Sequence, residues 1–474
     1  MGSKFETRLL GELCHEITVG FVGTMTNEYI ENGIPFLRSK NIEEYDVKWD
    51  DMKYVSSAFH KKLSKSVLKP GDVAIVRTGK PGTTCVIPND LREANCSDIV
   101  IARVNNELLC PHYLSYFMNA MAHGQVNAHI VGAVQQHFNV SSAKKLEIPL
   151  PSRVKQTKIV QVLKTLDDKL KLNRQINQTL EQMAQTLFKS WFVDFDPVVD
   201  NALDAGFFEQ DLGFSEELLH RVEVRKAVRE SDNFKPLSED IRRLFPNAFE
   251  ECVESALGLG GWMPKEWVYK AAENIANVSI GKTPPRKESE WFSEQKESNI
   301  TWVSIRDMGE FGTYTGSSRE YLTANAVKKF NIKLVPKGSI LLSFKLTLGR
   351  VAIASEELTT NEAIAHFVEP KHDISASYLY CYLTSFDFNS LGSTSSIATA
   401  VNSKIIKNMP ILVPTKSILN CFKTKVEPLF RKMKLIDDEI VTLTKLRDTL
   451  LPKLISGELS LSDIKTDITE EILI

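Results

Sequence analysis

One stretch of the chain, Ile280–Thr283, has residue types that could bind a nucleotide phosphate. It matches the end of the pattern G-x-x-x-x-G-K-T, in which a glycine-rich loop surrounds phosphates and the lysine contacts them. The pattern requires a glycine at position 276, where the chain has Ala276, and Pro284 and Pro285 follow where the loop should enter a helix. Because proline opposes a helix at that point, we predict that this segment binds no nucleotide.

Other catalytic patterns are missing from the sequence as well. It contains no H-E-x-x-H, G-x-S-x-G or G-x-G-x-x-G motif, and its Pro-Pro pair does not stand in the Asn/Asp-Pro-Pro-aromatic motif of adenine methyltransferases. The seven cysteines form no C-x-x-C pair, so we predict scattered thiols and no metal site. These observations favour a binding protein over an enzyme.

Polar segments that could contact DNA recur in both halves of the chain. Arg38–Asn41 is matched by Arg306–Asp307, Arg77–Thr84 is matched by Ser343–Arg350, and the loop 135–137 is matched by 395–399. Arginine and lysine can read guanine edges, asparagine and glutamine can read adenine, and other polar groups contact phosphates. Each segment could instead be an ordinary solvated loop. The candidate DNA contacts are Arg38, Lys40, Asn41, Arg77, Thr78, Lys80, Gln135, Gln136, Arg306, Asp307, Lys345, Thr347 and Arg350.

These segments belong to an internal repeat. The pair Lys61-Lys62 and the following Pro70–Val76 recur, 267 residues later, as Lys328-Lys329 and Lys337–Ser343. Later matches are 265 and 263 residues apart. The near-constant spacing predicts a tandem duplication of a unit of roughly 200 residues, each unit having an α+β domain followed by a long helix.

Both helices carry apolar residues at alternating steps of four and three, in the same phase of the repeat. The seam spans 32 residues, about 48 Å of helix, so we predict that the two helices pack on each other. Asn173 and Asn177 on the seam either set its register or face solvent at a gap. Pro428 predicts a kink, with the continuous helix beginning there. The seam positions are 159, 163, 166, 170, 173, 177, 180, 184, 187 and 191 in the first helix, and the same numbers plus 263 in the second.

Charge is distributed unevenly along the 474 residues. The chain has 58 basic and 60 acidic side chains, and residues 197–261 alone carry 7 basic and 14 acidic ones. We predict that this acidic segment is too charged to hold a large core and is a connector with local structure. The positive remainder of the chain permits DNA binding through local patches. Apolar runs are too short to cross a membrane and the first residues lack the core of a signal peptide, so a cytoplasmic location is expected.

Two motifs at the helix ends carry a family resemblance. They are Lys189–Pro197 (KSWFVDFDP) and Leu446–Leu459 (LRDTLLPKLISGEL). With Pro70–Val73 and Ile280–Pro284, they make the chain resemble the specificity subunit of a Type I restriction–modification system. The second copy departs from the first at Ser339, where the first has Asp72, and Lys282 replaces a glycine common in the family.

The resemblance implies an α+β fold with two similar α/β target recognition domains, separated by two long helices that form an antiparallel coiled coil, in a pseudo-twofold tandem repeat. Each recognition domain would read one half of a bipartite site in double-stranded DNA, and the helices would set the gap. The implied boundaries are recognition domains 1–150 and 262–414, spacer helices 151–196 and 415–474 (the latter with the C-terminal tail), and the acidic linker 197–261.

The resemblance also implies partners. Two adenine-N6 methyltransferase subunits would carry S-adenosylmethionine, and restriction translocase-endonuclease subunits would use ATP and Mg, leaving no cofactor and no catalytic centre on this chain. Since the helices use one seam for each other, the remaining apolar residues Phe188, Phe192 and Ile455 are candidate methyltransferase contacts. They could instead cap the globular domains. A self-contained methyltransferase or nuclease is disfavoured, and a coiled-coil scaffold without DNA specificity is the alternative function.

Overall fold

The computed structural model describes residues 5–129, 137–252, 254, 257–391 and 401–460. The chain divides into two units. The first contains the described residues up to Leu172 and those from Glu439 onward, and the second is Asn173–Asp438. Two long helices run from one unit into the other, so each unit contains part of both.

The first α+β domain is built from short, largely antiparallel strands. Val73–Val76, four apolar residues after the turn at Gly71, is buried along its whole length and lies inside a sheet. The strands are β1 Thr7–Leu9, β2 Cys14–Val19, β3 Tyr29–Ile30, β4 Ile34–Leu37, β5 Lys53–Val55, β6 Val67–Leu68, β7 Val73–Val76, β8 Thr84–Val86, β9 Ala94–Cys96, β10 Ile99–Val104 and β11 Glu147–Pro149. The helices are α1 Ser57–Lys62, α2 Pro111–Met121, α3 His123–Ala128 and α4 Val140–Lys144.

Three sheets organise these strands. Their orders are β2-β10-β7-β8, β3-β5-β4-β9-β6 and β1-β11. Within the second sheet β4 and β9 run parallel, so the segments that follow these two strands begin at the same edge of the sheet. The polar turn after β4 and the turn after β9 are therefore neighbours. The first long helix, α5 Arg153–Phe192, follows this domain.

The acidic segment after α5 has local structure and also contributes to a large core, so the prediction that it is too charged to hold one is wrong. Its elements are α6 Asp196–Asp204, α7 Glu216–Arg229, α8 Glu239–Arg242, β12 Phe249–Glu251 and the partner strand of β12, β13 Trp262–Pro264. Val198, Val199, Leu218 and Phe249 are buried in the same apolar core as the second α+β domain. Acidic side chains lie on the outside of these elements or pair with arginines. The net charge of the segment therefore gave no indication that its apolar residues form part of a core.

The second α+β domain repeats the strand order of the first. Its sheets are β15-β22-β19-β20, β16-β18-β17-β21 and β14-β23, with the parallel pair β17 and β21 in place of β4 and β9. The duplication predicted from the sequence is confirmed. The strands are β14 Val268–Ala271, β15 Asn277–Ile280, β16 Phe292–Ser293, β17 Ile300–Val303, β18 Glu320–Leu322, β19 Ile340–Ser343, β20 Val351–Ile353, β21 Thr359–Thr360, β22 Ile364–Val368 and β23 Pro410–Val413. The helices are α9 Ala272–Ile275, α10 Ile305–Met308, α11 Ala324–Lys329, α12 Ala376–Ser385 and α13 Ser403–Asn408.

The second long helix, α14, spans Lys416–Ser456. It begins twelve residues before Pro428 and continues through it, so the prediction that the continuous helix starts at this proline is wrong. In both units α5 and α14 run antiparallel. Asp167 contacts Arg447 at 3.1 Å in the first unit, while Asn177 contacts Asp437 at 2.7 Å in the second. None of the seam residues is exposed, which confirms the seven-residue pattern.

Asn177 belongs to a polar pair between the helices and does not face solvent at a gap. Its Nδ2 donates to Asp437 Oδ1, while its own Oδ1 is buried and has no hydrogen-bond partner among the described residues. Burial raises the pKa of Asp437 from 3.8 to about 6. At neutral pH the folded chain therefore holds a carboxylate that would be better solvated in the unfolded chain.

We expect the variant Asp437→Asn to be more stable than the parent chain at pH 7, by about 1–2 kcal/mol. The amide cannot be charged, and its Nδ2 can donate to the unpartnered Oδ1 of Asn177. The folded pKa of Asp437 lies above the unfolded pKa, so its destabilising effect is absent below pH 4, grows as the pH rises to 6 and is complete above it. Urea unfolding at pH 7 and pH 4.5 measures both effects, and Asp438→Asn, at an exposed neighbouring carboxylate, is the control. Equal stability of Asp437→Asn and the parent at pH 7 would contradict this prediction.

Candidate nucleic-acid interface

A tight turn follows β4 in the first domain and β17 in the second, and its asparagine or aspartate is structural. The backbone N–H of Arg38 donates to Asn41 Oδ1 at 3.1 Å, and that of Ser304 donates to Asp307 Oδ2 at 2.9 Å. Asn41 also donates to the carbonyl of Lys48, at 3.1 Å. Both side chains are buried. The prediction that Asn41 and Asp307 contact DNA is therefore wrong, because the turn itself uses their polar groups.

The same turns expose one basic residue each, Lys40 and Arg306, at equivalent positions. Near Lys40, three basic side chains, Arg38, Lys40 and Lys53, all pair with one carboxylate, Asp51. Hydrogen bonds from Lys40 and Lys53 hold the pKa of Asp51 far below its usual range. Lys40 is the exposed cation of this turn, and an exposed lysine suits a phosphate contact.

In the first domain a loop joins β7 to β8 and lies beside the turn. Arg77 donates to Asp98 Oδ1 at 2.8 Å, and Thr78 donates to Asp98 Oδ2 at 2.7 Å. Ser39 in the turn donates to the carbonyl of Asp98 at 3.0 Å. Asp98 thus joins turn and loop, which leaves Arg77 and Thr78 as positioning residues and Lys80 as the exposed cation of the loop.

In the second domain the corresponding loop, Ser343–Arg350, lies beside the turn through a different contact. Arg350 Nη1 donates to the carbonyl of Ile305 at 2.8 Å, and Arg350 is half-buried. The backbone N–H of Thr347 donates to the carbonyl of Lys345 at 2.8 Å. Arg350 therefore positions the loop, while the side chain of Lys345 is exposed. The structure brings the predicted residues of each copy together, and the exposed ones form the candidate interface.

Glu362 occupies in the second domain the place that Asp98 occupies in the first, two residues after the end of β21 and of β9 respectively. It accepts a hydrogen bond from Thr283. Although burial acts in the opposite direction, this bond and the positive charges of Lys345 and Arg286 lower the pKa of Glu362. In both domains a carboxylate therefore lies beside the basic residues of the loop.

The segment that resembled a phosphate loop has a structural role. A side chain at Gly281 would meet Thr360 Oγ1 at 2.1 Å and the carbonyl of Asn361 at 2.2 Å, so only glycine permits this approach of β15 to the end of β21. The Lys282 Nζ donates to the carbonyl of Phe330 at 2.7 Å. Its amine is thus used within the domain.

A family model described as Type I restriction modification DNA specificity domain matches residues 2–182 and 264–426. The chain belongs to this family. The matched ranges coincide with the two copies of the duplicated fold, so the molecule is a specificity subunit with two DNA specificity domains, as the two helix-end motifs suggested.

Known proteins resemble the specificity subunit over most of its length. The Type I restriction enzyme HindI specificity subunit of Haemophilus influenzae is 29% identical over 415 residues, covering 84% of this chain and 88% of that protein. The MjaIX specificity subunit of Methanocaldococcus jannaschii is 24% identical over 449 residues, covering 93% and 90%. The crystal structure of the Type I S subunit from M. genitalium shares the fold, with a TM-score of 0.51, 14% identity and coverage of 95% and 96%.

The predicted methyltransferase contacts of the specificity subunit are not on its surface. Phe188 and Phe192 are buried against Tyr378 and Phe422, with ring centroids 5.1 to 5.9 Å apart. Ile455 is completely buried in the core of the first unit. The docking prediction for these three residues is wrong, and the alternative that they cap the globular domains is the one the structure supports.

Gln135 and Gln136 lie outside the described residues. Within the described ranges, no group of three or more His, Cys, Asp or Glu residues is placed to hold a metal ion. No helix of those ranges is both long and apolar enough to cross a membrane.

Asp98 and Glu362 were missed by the sequence analysis. Each becomes prominent only when parallel pairing brings the end of β9 beside β4, and that of β21 beside β17. One signal was available, since aligning the two copies places a carboxylate shortly before β10 and β22 in both.

Proposed function

We propose that each DNA specificity domain contacts one half of a bipartite duplex site through the turn after its parallel strand pair and the loop beside it. The observation that carries the proposal is the repetition of this surface in both copies. Lys40 and Arg306 occupy the same exposed turn position, and Lys80 and Lys345 lie on the equivalent loops. Two similar surfaces on one chain suit a site with two defined parts.

The remaining polar groups hold the turn and the loop of each domain together. In the first domain Asp98 holds Ser39, Arg77 and Thr78, and in the second Arg350 holds the loop against the turn. A basic residue on a preorganised loop loses less conformational freedom on binding than one on a flexible segment. The exposed cations would contact phosphates and base edges, while the buried members hold them in place.

We also propose that the long helices set the gap between the half-sites and bind two methyltransferase subunits. Leu172 in the first unit and Leu435 in the second occupy equivalent positions, 263 residues apart, and are 51% and 65% exposed. Exposed leucines on a helix whose other face is packed suit an apolar partner surface. Two equivalent leucines provide one such contact for each of two methyltransferase copies.

The specificity subunit itself would perform no chemistry. On this proposal S-adenosylmethionine belongs to the methyltransferase subunits, and ATP and Mg belong to the restriction translocase-endonuclease subunits of the same cytoplasmic complex. The buried hydrogen bonds of the turns and loops support a binding role, because they use polar groups for position and leave cations at the surface.

Mapping N6-methyladenine after co-expression tests the proposal. The chain is expressed with the methyltransferase subunit of its own system in a host without adenine methylation, and methylated positions are read by single-molecule sequencing. We expect one new motif with two defined halves around a fixed gap. An associated, soluble complex that produces no motif would contradict the proposal and support the scaffold alternative.

Removal of one loop lysine should weaken DNA binding and make it less sensitive to salt. For Lys80→Ala and Lys345→Ala, assembled with methyltransferase, we expect the slope of log K against log salt to fall in magnitude by about 0.9 for each phosphate that the variant no longer neutralises. Fluorescence anisotropy at several salt concentrations measures this slope. Lys226→Ala, at an exposed lysine of α7, should keep the parent slope. A parent-like slope in both loop variants would exclude these lysines as phosphate ligands.

A further inference from the structure

The tip of the second-domain loop carries a leucine that does nothing for the fold. Leu346 lies between β19 and β20 and is 95% exposed. Its backbone has φ of +64°, in the left-handed region that leucine disfavours. A leucine at this position has a strained backbone and is not buried by the domain. Its side chain therefore suits a contact with a molecule outside this chain.

The first domain shows what the fold alone requires at this position. The residue equivalent to Leu346 is Gly79, with φ of +85°. Both loops are closed by the same backbone bonds: Gly82 donates to Val76 at 3.0 Å in the first copy, and Gly349 donates to Ser343 at 3.0 Å in the second. Glycine meets the conformational requirement without strain, and leucine does not.

The loop holds Leu346 in one place. The hydroxyl of Ser343 donates to the carbonyl of Thr347 at 2.6 Å and accepts the N–H of Arg350 at 3.0 Å. Gly349 packs against the ring of Phe388. The exposed tip is therefore preorganised, and its leucine points away from the domain with a fixed backbone.

The neighbours of Leu346 belong to the proposed DNA surface. Lys345 precedes it and is exposed, and Arg350 fixes the loop beside the turn that carries Arg306. Cations of this kind reach phosphates and guanine edges in the major groove, where the C5-methyl group of thymine is the apolar feature that a protein can read. An exposed leucine beside the exposed Lys345 matches that methyl group.

We propose that Leu346 is a specificity-determining residue that contacts a thymine methyl group in the half-site read by the second domain. The inference rests on the proposed function of the two domains. The two domains would therefore differ at this loop position, because Gly79 in the first domain has no side chain for such a contact. The first domain must read its half-site without an apolar contact from this loop position.

Replacement of single thymines by uracil, which removes only the methyl group, tests the proposal on the complex with methyltransferase. For the parent complex we expect one position in the second half-site at which uracil weakens binding about fourfold, the effect of one buried methyl group. For Leu346→Gly the parent and uracil sites should bind equally, and thermal stability should be unchanged or higher because glycine relieves the strain. Leu334→Ala, at another exposed leucine of this domain, should retain the uracil effect.

Two outcomes would overturn the inference. One is a uracil effect that survives at full size in Leu346→Gly, which would assign the methyl contact to another residue. The other is weaker binding by Leu346→Gly with no uracil effect in the parent, which would indicate a wedge between base pairs. Both leave the bipartite methylation motif intact, whereas failure of the proposed function removes the motif from the parent complex.

Discussion

Phe192→Ala should destabilise the second unit by about 3–5 kcal/mol, the usual effect of removing a buried phenylalanine ring. The ring of Phe192 lies 5.1 Å from those of Tyr378 and Phe422 and 5.9 Å from that of Trp267, centroid to centroid. It therefore joins α5 to α12, α14 and the strand that follows Trp267. Its removal leaves a cavity that these elements cannot close without moving.

Denaturant unfolding followed by tryptophan fluorescence and circular dichroism measures this destabilisation. Leu435→Ala is the matched control, because it removes an apolar side chain of α14 that is 65% exposed. We expect its stability to change by less than about 0.5 kcal/mol, while its association with methyltransferase weakens. A stable Phe192→Ala chain with specifically impaired methyltransferase binding would restore the docking interpretation of this residue.

The sequence was sufficient to predict the duplication and the seam between the two long helices, because regular spacing reports directly on which residues share a face. The antiparallel orientation followed only from the family resemblance. It was not sufficient to separate positioning residues from exposed ones in the polar segments. Asn41 and Lys40 are adjacent and both polar, yet one is buried in a turn and the other exposed. Hydrogen bonds between the Asn41 side chain and backbone atoms of Arg38, Lys48 and Asp50 decide that difference, and residue type does not reveal them.

The prediction for the acidic segment was wrong for a related reason. Asp196, Asp200 and Asp204 are four residues apart, and so are Arg221, Arg225 and Arg229. Such spacing places each set on one face of a helix, and in the structure α6 and α7 face each other through these sets. Net charge counted the carboxylates without showing that these three are paired with arginines.

Asp200→Ala should destabilise the second unit by about 3 kcal/mol, because it leaves the largely buried guanidinium of Arg225 without its main carboxylate partner. Arg225 binds Asp200 through two hydrogen bonds, of 2.9 and 2.6 Å, and the two side chains are only 14% and 11% exposed. After the substitution the nearest remaining carboxylate is Asp196, 3.6 Å from Arg225 Nη1. Such a contact replaces only part of a bidentate pair, so most of the desolvation penalty of the guanidinium remains.

Two further variants show whether the destabilisation comes from an unpaired buried charge or from a general loss of packing. Asp204→Ala removes the more exposed end of the same ladder, where Asp204 is 41% exposed, and should cost less than about 1 kcal/mol. Adding Arg225→Met to Asp200→Ala should recover much of the missing stability, since methionine can still pack on Phe234 without a charge to desolvate. Urea unfolding of the three variants is the measurement. Equal costs for Asp200→Ala and Asp204→Ala would show that burial does not govern this ladder.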